Sequence, residues 1–354
     1  MITKEQVLEA LSYVEEPDLK KDLVTLNMIQ NIVIEDQKLS FEVVLTTPAC
    51  PLKDHIEHAC RNAIAHFIDK NITVEVHMTS NVLGKEGNQL SGIKNIILVS
   101  SGKGGVGKST VAANLALSLH AKGAKTGLLD ADIYGPSLPI MFGLEGEKPQ
   151  SVQHEDGTVK IQPIEKFGIK LLSIGFFTDP NQPIPWRGPM ATSAIKQLLN
   201  DTDWGDLDYL IIDMPPGTGD IHITVAQNFP IAGAVIVTTP QQVALADAIK
   251  GIGMFLMDSI NIPLLGVIEN MAYFTPAELP DNKYYIFGKG GGSRLAEEYK
   301  MPFLGEIPLL KGISDAGDNG FPIAIDAEDP TTKAFIAIAE KVAQQLSIIQ
   351  ATSN

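Results

Sequence analysis

Gly102-Lys103-Gly104-Gly105-Val106-Gly107-Lys108-Ser109 fills the pattern G-x-x-x-x-G-K-S at every position, and the fold reads outward from it. An apolar run at residues 96–100 stands before it. A helical pattern carrying Val111, Leu115 and Leu119 follows. Strand, glycine-rich turn and helix, in that order, form the context in which this pattern holds phosphate. The glycines let successive backbone N–H groups turn inward onto phosphate oxygens, and the helix N-terminus adds the positive end of its dipole. Lys108 is placed to reach the β- and γ-phosphates, and the Ser109 hydroxyl to ligate Mg²⁺.

Beyond that helix one texture repeats: a buried strand, a turn, a helix. Residues 126–130, 207–213, 234–238, 264–269 and 303–307 are short apolar runs without alternation. Such runs suit central strands of a parallel sheet covered on both faces. Residues 106–120, 219–228 and 242–256 have helical spacing. The expected fold class is α/β, a doubly wound, mostly parallel sheet over residues 94–354. Two of its strands end in acids. Tyr209-Leu210-Ile211-Ile212-Asp213 has the form of a Walker B strand, whose aspartate holds Mg²⁺ beside the P-loop. Leu128-Leu129-Asp130-Ala131-Asp132 ends in the same way, and a carboxylate there can orient and polarise an attacking water. Met214-Pro215-Pro216-Gly217-Thr218-Gly219-Asp220 reads as a loop that responds to the γ-phosphate, its glycines permitting rearrangement.

In front of this region, residues 1–82 read as a small α+β domain. Val7, Leu8, Leu11 and Val14 form one stripe of a helix over 4–14. Strands are expected at 28–34 and 39–45, separated by the turn Glu35-Asp36-Gln37-Lys38, then a helix at 52–68 and a strand at 72–77. Residues 83–93, polar and glycine-rich, form the expected linker.

The chain has 354 residues, 44% of them hydrophobic, enough for two domains with a sizeable core. Acidic residues outnumber basic ones 42 to 27, a formal charge of −15. That balance argues against a broad grip on nucleic acid or on an anionic membrane. Cys50 and Cys60 are the only cysteines, which excludes a disulfide scaffold and fits a reducing cytoplasm. The N-terminus has no signal pattern, and no apolar run reaches the roughly 18 residues of a spanning helix.

Lys103 resembles the signature lysine of deviant Walker A proteins such as MinD, ParA and the nitrogenase iron protein. Within that class the chain resembles the Mrp family, also called ApbC. The segments that carry the likeness are residues 101–110, Asp130-Ala131-Asp132-Ile133-Tyr134-Gly135-Pro136-Ser137, Trp186-Arg187-Gly188-Pro189-Met190, residues 213–220, Glu269-Asn270-Met271 and residues 287–292. Residues 1–82, with Thr46-Thr47-Pro48-Ala49-Cys50-Pro51, resemble the iron–sulfur assembly domain often fused in front of this ATPase. The resemblance implies an ATP-hydrolysing homodimer that binds and transfers iron–sulfur clusters, or assists their assembly, on client proteins. Gly102, Lys103, Gly104, Gly105, Val106, Gly107, Lys108, Ser109 and Thr110 would line the ATP site. Lys103 would reach across the dimer to the partner's ATP. Lys108 and Asp132 would complete the catalytic set, while Ser109, Asp130 and Asp213 would serve Mg²⁺. Asn270 would read the adenine edge with its paired donor and acceptor, or stand as a polar turn residue at a strand end. Pro308 would flank the ring, and Trp186 and Arg187 would mark a subunit surface unless Arg187 is simply solvated.

One family feature is missing. Mrp-type ATPases commonly carry Cys-x-x-Cys after Glu-Asn-Met, and two such pairs bridge a cluster between subunits. Here that stretch, residues 271–283, contains no cysteine, so the usual bridging site cannot form. Cys60 shares the apolar stripe of Ile56, Ile64 and Phe67 and reads as a packing residue. Cys50 precedes a helix N-terminus, where a thiol can be activated, and stands open as a functional thiol or a small buried residue. His55 and His58 share a helix face without a third donor and are taken as surface residues. The alternative function is a MinD- or ParA-like ATPase for spatial organisation without cluster binding. Against it, the C-terminal helix at 333–349 lacks the basic face of a membrane-binding helix.

Overall fold

The structure is a computed structural model that describes residues 2–35, 37–84, 90, 92–179, 185–276 and 278–353. Asp36 of the expected turn, residues 85–89 and 91 of the expected linker, and Ala277 lie outside the described residues. The chain divides into two compact units, Met1–Leu83 with Ala343–Asn354, and Gly84–Val342.

In the first unit, α1 (Lys4–Leu11) starts at a capping box between Thr3 and Gln6, which satisfies two otherwise orphaned amides. A short antiparallel pair follows, β1 (Glu15–Glu16) and β2 (Lys21–Asp22). Then come β3 (Ile29–Glu35), β4 (Lys38–Leu45), α2 (Lys53–Phe67) and β5 (Thr73–Ser80). The sheet order is β3-β4-β5, with β3–β4 antiparallel and β4–β5 parallel. A parallel pair needs a crossover, and α2 provides it. Val7 and Leu11 of α1 and Ile56, Cys60 and Ile64 of α2 pack with Leu39, Phe41 and Val43 in one core. Cys60 is thus a packing side chain, and burial pushes its thiol up to about 12. His55 and His58 are exposed.

The second unit begins with β6 (Ile93–Ser100), α3 (Lys108–Ala121), β7 (Thr126–Asp130) and α4 (Leu138–Met141). A hairpin of β8 (Gln150–Gln153) and β9 (Val159–Gln162) leads to β10 (Ile164–Lys166) and β11 (Ile169–Ser173). There follow α5 (Gly188–Asn200), β12 (Leu207–Asp213), α6 (Asp220–Asn228), β13 (Ile231–Thr238) and α7 (Gln242–Phe255). The unit continues through β14 (Leu264–Glu269), α8 (Gly291–Glu298), β15 (Phe303–Glu306) and α9 (Lys311–Asp318) into α10 (Pro330–Ser353). Eight strands form one sheet in the order β10-β11-β7-β12-β6-β13-β14-β15. Every pairing is parallel except β10 with β11. Every residue of β13 is buried, as are all but Lys94 of β6, because helices cover both faces; hence the missing alternation. The two compact units do not follow chain order alone. Residues from 343 on group with the first unit, where the Gln344 side-chain amide donates to both carboxylate oxygens of Asp18 at 2.8 and 2.9 Å.

The strand order decides where the chemistry lies. β6 ends in the P-loop, β12 lies beside it, and β7 lies beside β12. Asp213 is in register with Val99 on one side and with Asp130 on the other. The carboxyl ends of three adjacent strands therefore open onto one crevice.

Candidate active site

The P-loop runs from the end of β6 to the start of α3. Gly102 lies so close to α7 that a Cβ there would stand 2.0 Å from the Asp247 carbonyl carbon, so no larger residue fits. Gly107, the N-cap of α3, has φ +81°, and a Cβ on it would run into the Asn270 amide at 2.2 Å. Both glycines are demanded by the backbone.

A cleft of about 360 Å³ opens over this loop. One wall is Lys103, Gly104, Gly105, Gly107, Lys108, Ser109 and Thr110; Asp132, Ser137, Met141 and Pro216 form another. The third wall is α9, through Ile313, Ser314, Gly317 and Asp318, none of which sequence reading singled out. That helix buries no residue, so it left no apolar stripe to notice. Asn270 and Pro308 are not among the lining residues.

Lys108 is 6% exposed, and its ammonium donates to Asp213 Oδ1 at 2.5 Å and to Ser109 Oγ at 3.3 Å. Asp132 Oδ2 lies 3.9 Å from the same ammonium. Burial raises the Asp132 carboxyl above its usual range, against the pull of Lys108. Asp213 is fully buried, yet its Oδ2 has no hydrogen-bond partner among the described residues. A buried acceptor with no donor is costly unless something else fills the position, and a hard cation does so naturally. Asp213 Oδ2 and the Ser109 hydroxyl thus form an oxygen donor set that fits Mg²⁺.

Asp130, expected from sequence to serve Mg²⁺, has its carboxylate held by a different set of partners. Its Oδ1 accepts the Asp132 amide at 3.1 Å. Its Oδ2 accepts the Ser137 amide at 3.0 Å, the Leu138 amide at 3.3 Å and the Ser173 hydroxyl at 3.0 Å. Both oxygens are spent on the loop that carries Asp132. Burial, then the neighbouring Asp213 carboxylate, pushes Asp130 up to about 7.

Asn270, expected from sequence to read the adenine edge, directly follows β14. Its side chain is buried, and Nδ2 donates to the Val106 carbonyl at 2.8 Å. The donor half of the expected base-reading pair is engaged on the P-loop. Glu269, just before it, accepts the Gly292 amide at the start of α8. Lys103 is exposed, as is Arg187, while Trp186 packs on the core of the second unit.

His222 was missed by sequence reading, although its place between Ile221 and Val225 on the inward face of α6 was a usable signal. It is 1% exposed, with Nε2 3.4 Å from Ser100 Oγ. Burial, then Lys108, lowers its pKa from 6.5 to about 4. The unfolded chain therefore takes the proton first as pH falls. Stability from this group is intact above about 6.5 and is lost as pH drops towards about 4. The expected loss is about 3 kcal/mol at most. Thermal unfolding across that range should show it, and His222→Gln should flatten the curve. An equal acid slope in the variant would assign the loss elsewhere.

A backbone cradle between strand and helix, a lysine inside it and a buried acid ending the next strand define a P-loop NTPase. The chain belongs to the NUBPL iron-transfer P-loop NTPase family, whose model matches residues 92–343. A second family, described as iron-sulfur cluster assembly protein, matches residues 4–76. The iron-sulfur cluster carrier protein of Synechocystis sp. is 46% identical over 354 residues, covering 98% of this chain and 99% of the relative. The iron-sulfur cluster carrier protein of Escherichia coli K12 is 42% identical, covering 96% and 91%. Among solved structures, the nucleotide-binding protein of Archaeoglobus fulgidus in complex with ADP is 39% identical. It covers 69% of this chain and 92% of its own, with a TM-score of 0.57. Among the described residues, no helix is long and apolar enough to cross a membrane. No group of three or more His, Cys, Asp or Glu among them could hold a metal ion.

Proposed function

We propose that this protein binds and hydrolyses ATP in the P-loop cleft and uses that cycle to carry iron–sulfur clusters to client proteins, acting as a homodimer in the cytoplasm. The observation that carries the nucleotide half is the Lys108–Asp213 pair at 2.5 Å beside an orphaned Asp213 Oδ2. Without ligand, the lysine and the acid neutralise each other. Lys108 would bind the β- and γ-phosphates of ATP, and Asp213 and Ser109 would hold Mg²⁺. Mg²⁺ would supply neutralisation of the charge that develops on the phosphate oxygens. Asp132, held by the Asp130 loop at the cleft wall, orients and polarises the attacking water. Lys103, exposed at the mouth, serves the partner's nucleotide.

The cargo half rests on the carrier proteins it resembles, which favour this reading over spatial organisation. Iron–sulfur clusters need thiolates, and the ATPase part has none. Cys60 is buried, with its thiol pushed up to about 12. Cys50, half-buried at the start of the turn before α2, is the remaining ligand. A homodimer contributes two such thiols, and client or small-molecule thiols complete the set, so that the cluster is held loosely and passed on. Anaerobic reconstitution with iron and sulfide tests this. Iron should be retained by the full chain and by Cys60→Ala and lost from Cys50→Ser. Iron kept by Cys50→Ser would remove Cys50 from the role.

A further inference from the structure

The loop between β12 and α6 is tied to the root of the P-loop by its backbone. The Met214 amide donates to the Val99 carbonyl at 3.0 Å, and the Gly217 amide to the Ser101 carbonyl at 2.8 Å. Ser101 is 2% exposed, and its own hydroxyl donates to the carbonyl of Lys103 at 3.0 Å. One residue therefore holds the γ-phosphate-responsive loop through its carbonyl and the backbone of Lys103 through its side chain. Pro216 of the same loop lies beside the P-loop, where a Cβ at Gly104 would stand 3.9 Å from its Cγ.

We infer that Ser101 is a positioning residue that couples the 214–219 loop to Lys103. This rests on the reading that a triphosphate occupies the cleft. Gly217 has φ +91°, and nothing lies within 4 Å of where a Cβ would stand on it, so no packed side chain opposes a turn of the backbone that would redirect its amide. An anionic γ-phosphate is a stronger acceptor than a carbonyl. When the Gly217 amide turns to it, the Ser101 carbonyl loses its donor, and the turn from Ser101 to Lys103 is released from that restraint. The hydroxyl of Ser101 has almost no access to water, so it keeps its bond to the Lys103 carbonyl and carries the shift with it. The state of the nucleotide thereby sets where the Lys103 backbone presents its side chain. Hydrolysis reverses the exchange.

Steady-state ATP turnover and the affinity for a fluorescent ATP analogue, measured on full-length variants, test the coupling. Ser101→Ala should lower kcat about tenfold, the worth of one hydrogen bond at about 1.4 kcal/mol, with affinity within about twofold. Ser101→Thr, which keeps the hydroxyl, should recover most of the loss. In a Lys103→Ala background, Ser101→Ala should cost nothing further, because the residue acts through Lys103. Additive losses in the double variant would overturn the coupling, as would an unchanged kcat or an equal fall in affinity. If Ser101→Ala does not fold, Ser101→Cys, similar in shape but a poor donor, gives the same comparison. A wild type that binds no nucleotide would sink the functional reading itself and the coupling with it. Wild-type turnover matched by Ser101→Ala would sink the coupling alone.

Discussion

Lys108→Ala is expected to lower ATP turnover by about 100-fold or more, because a preorganised cation at developing phosphate charge stabilises the transition state far more than the ground state. The structure adds a second consequence. Lys108 is the ion-pair partner of a fully buried carboxylate, and removing one member of a buried pair leaves the other uncompensated. The variant should therefore also melt at a lower temperature. Lys108 also holds Asp130 and Asp132 down and His222 down. Without it, all three should titrate at higher pH. The acid instability assigned to His222 should then be smaller in Lys108→Ala than in the wild type, since its folded value moves back towards 6.5. Turnover, melting temperature and its pH dependence can be read from the same preparations. Near-normal turnover would sink the assignment of the P-loop.

How much of this was legible depends on where each determinant is stored. The P-loop is contiguous, so its glycines, lysine and serine declare themselves together. Central strands such as β6, β12 and β13 are buried on both faces and show as unbroken apolar runs. The edge elements are short and half exposed: β8 has one partly buried residue in four. That is too little pattern to separate a strand from a loop, and the β8–β9 hairpin escaped for this reason. Asp130 and Asp213 look alike in sequence, each an acid ending an apolar strand. What separates them is the set of donors brought by Ser137, Leu138 and Ser173, a tertiary fact. The same holds for Asn270, whose partner Val106 is 164 residues away. The C-terminal helix reads as one element, but its final turns belong with the first unit through Gln344 and Asp18. Pairings at such separations are invisible to local spacing.

Asp132 and Lys103 test the shared site. Alone, Asp132→Asn should slow hydrolysis by about 100-fold while sparing binding, since the amide keeps the shape but cannot accept a proton. Its carboxyl is already raised by burial, which brings it towards the range where a carboxylate accepts protons well. Lys103→Ala should also be nearly inactive, although its ammonium is exposed and the cradle already contains Lys108. A second lysine is redundant in its own subunit and useful only across a two-fold axis. In a symmetric dimer, each active centre would then combine Asp132 of one protomer with Lys103 of its partner. Mixing the two variants makes dimers in which one centre has both defects and the other has neither. With free exchange about half the dimers are mixed, and one centre in each is intact, so about a quarter of wild-type turnover should return. That is a gain of more than tenfold over either variant by itself. If Lys103 instead acts within its own subunit, every centre in the mixture carries one defect. Turnover would then stay at the level of the separate variants, and the shared active centre would be refuted even though each residue remained essential.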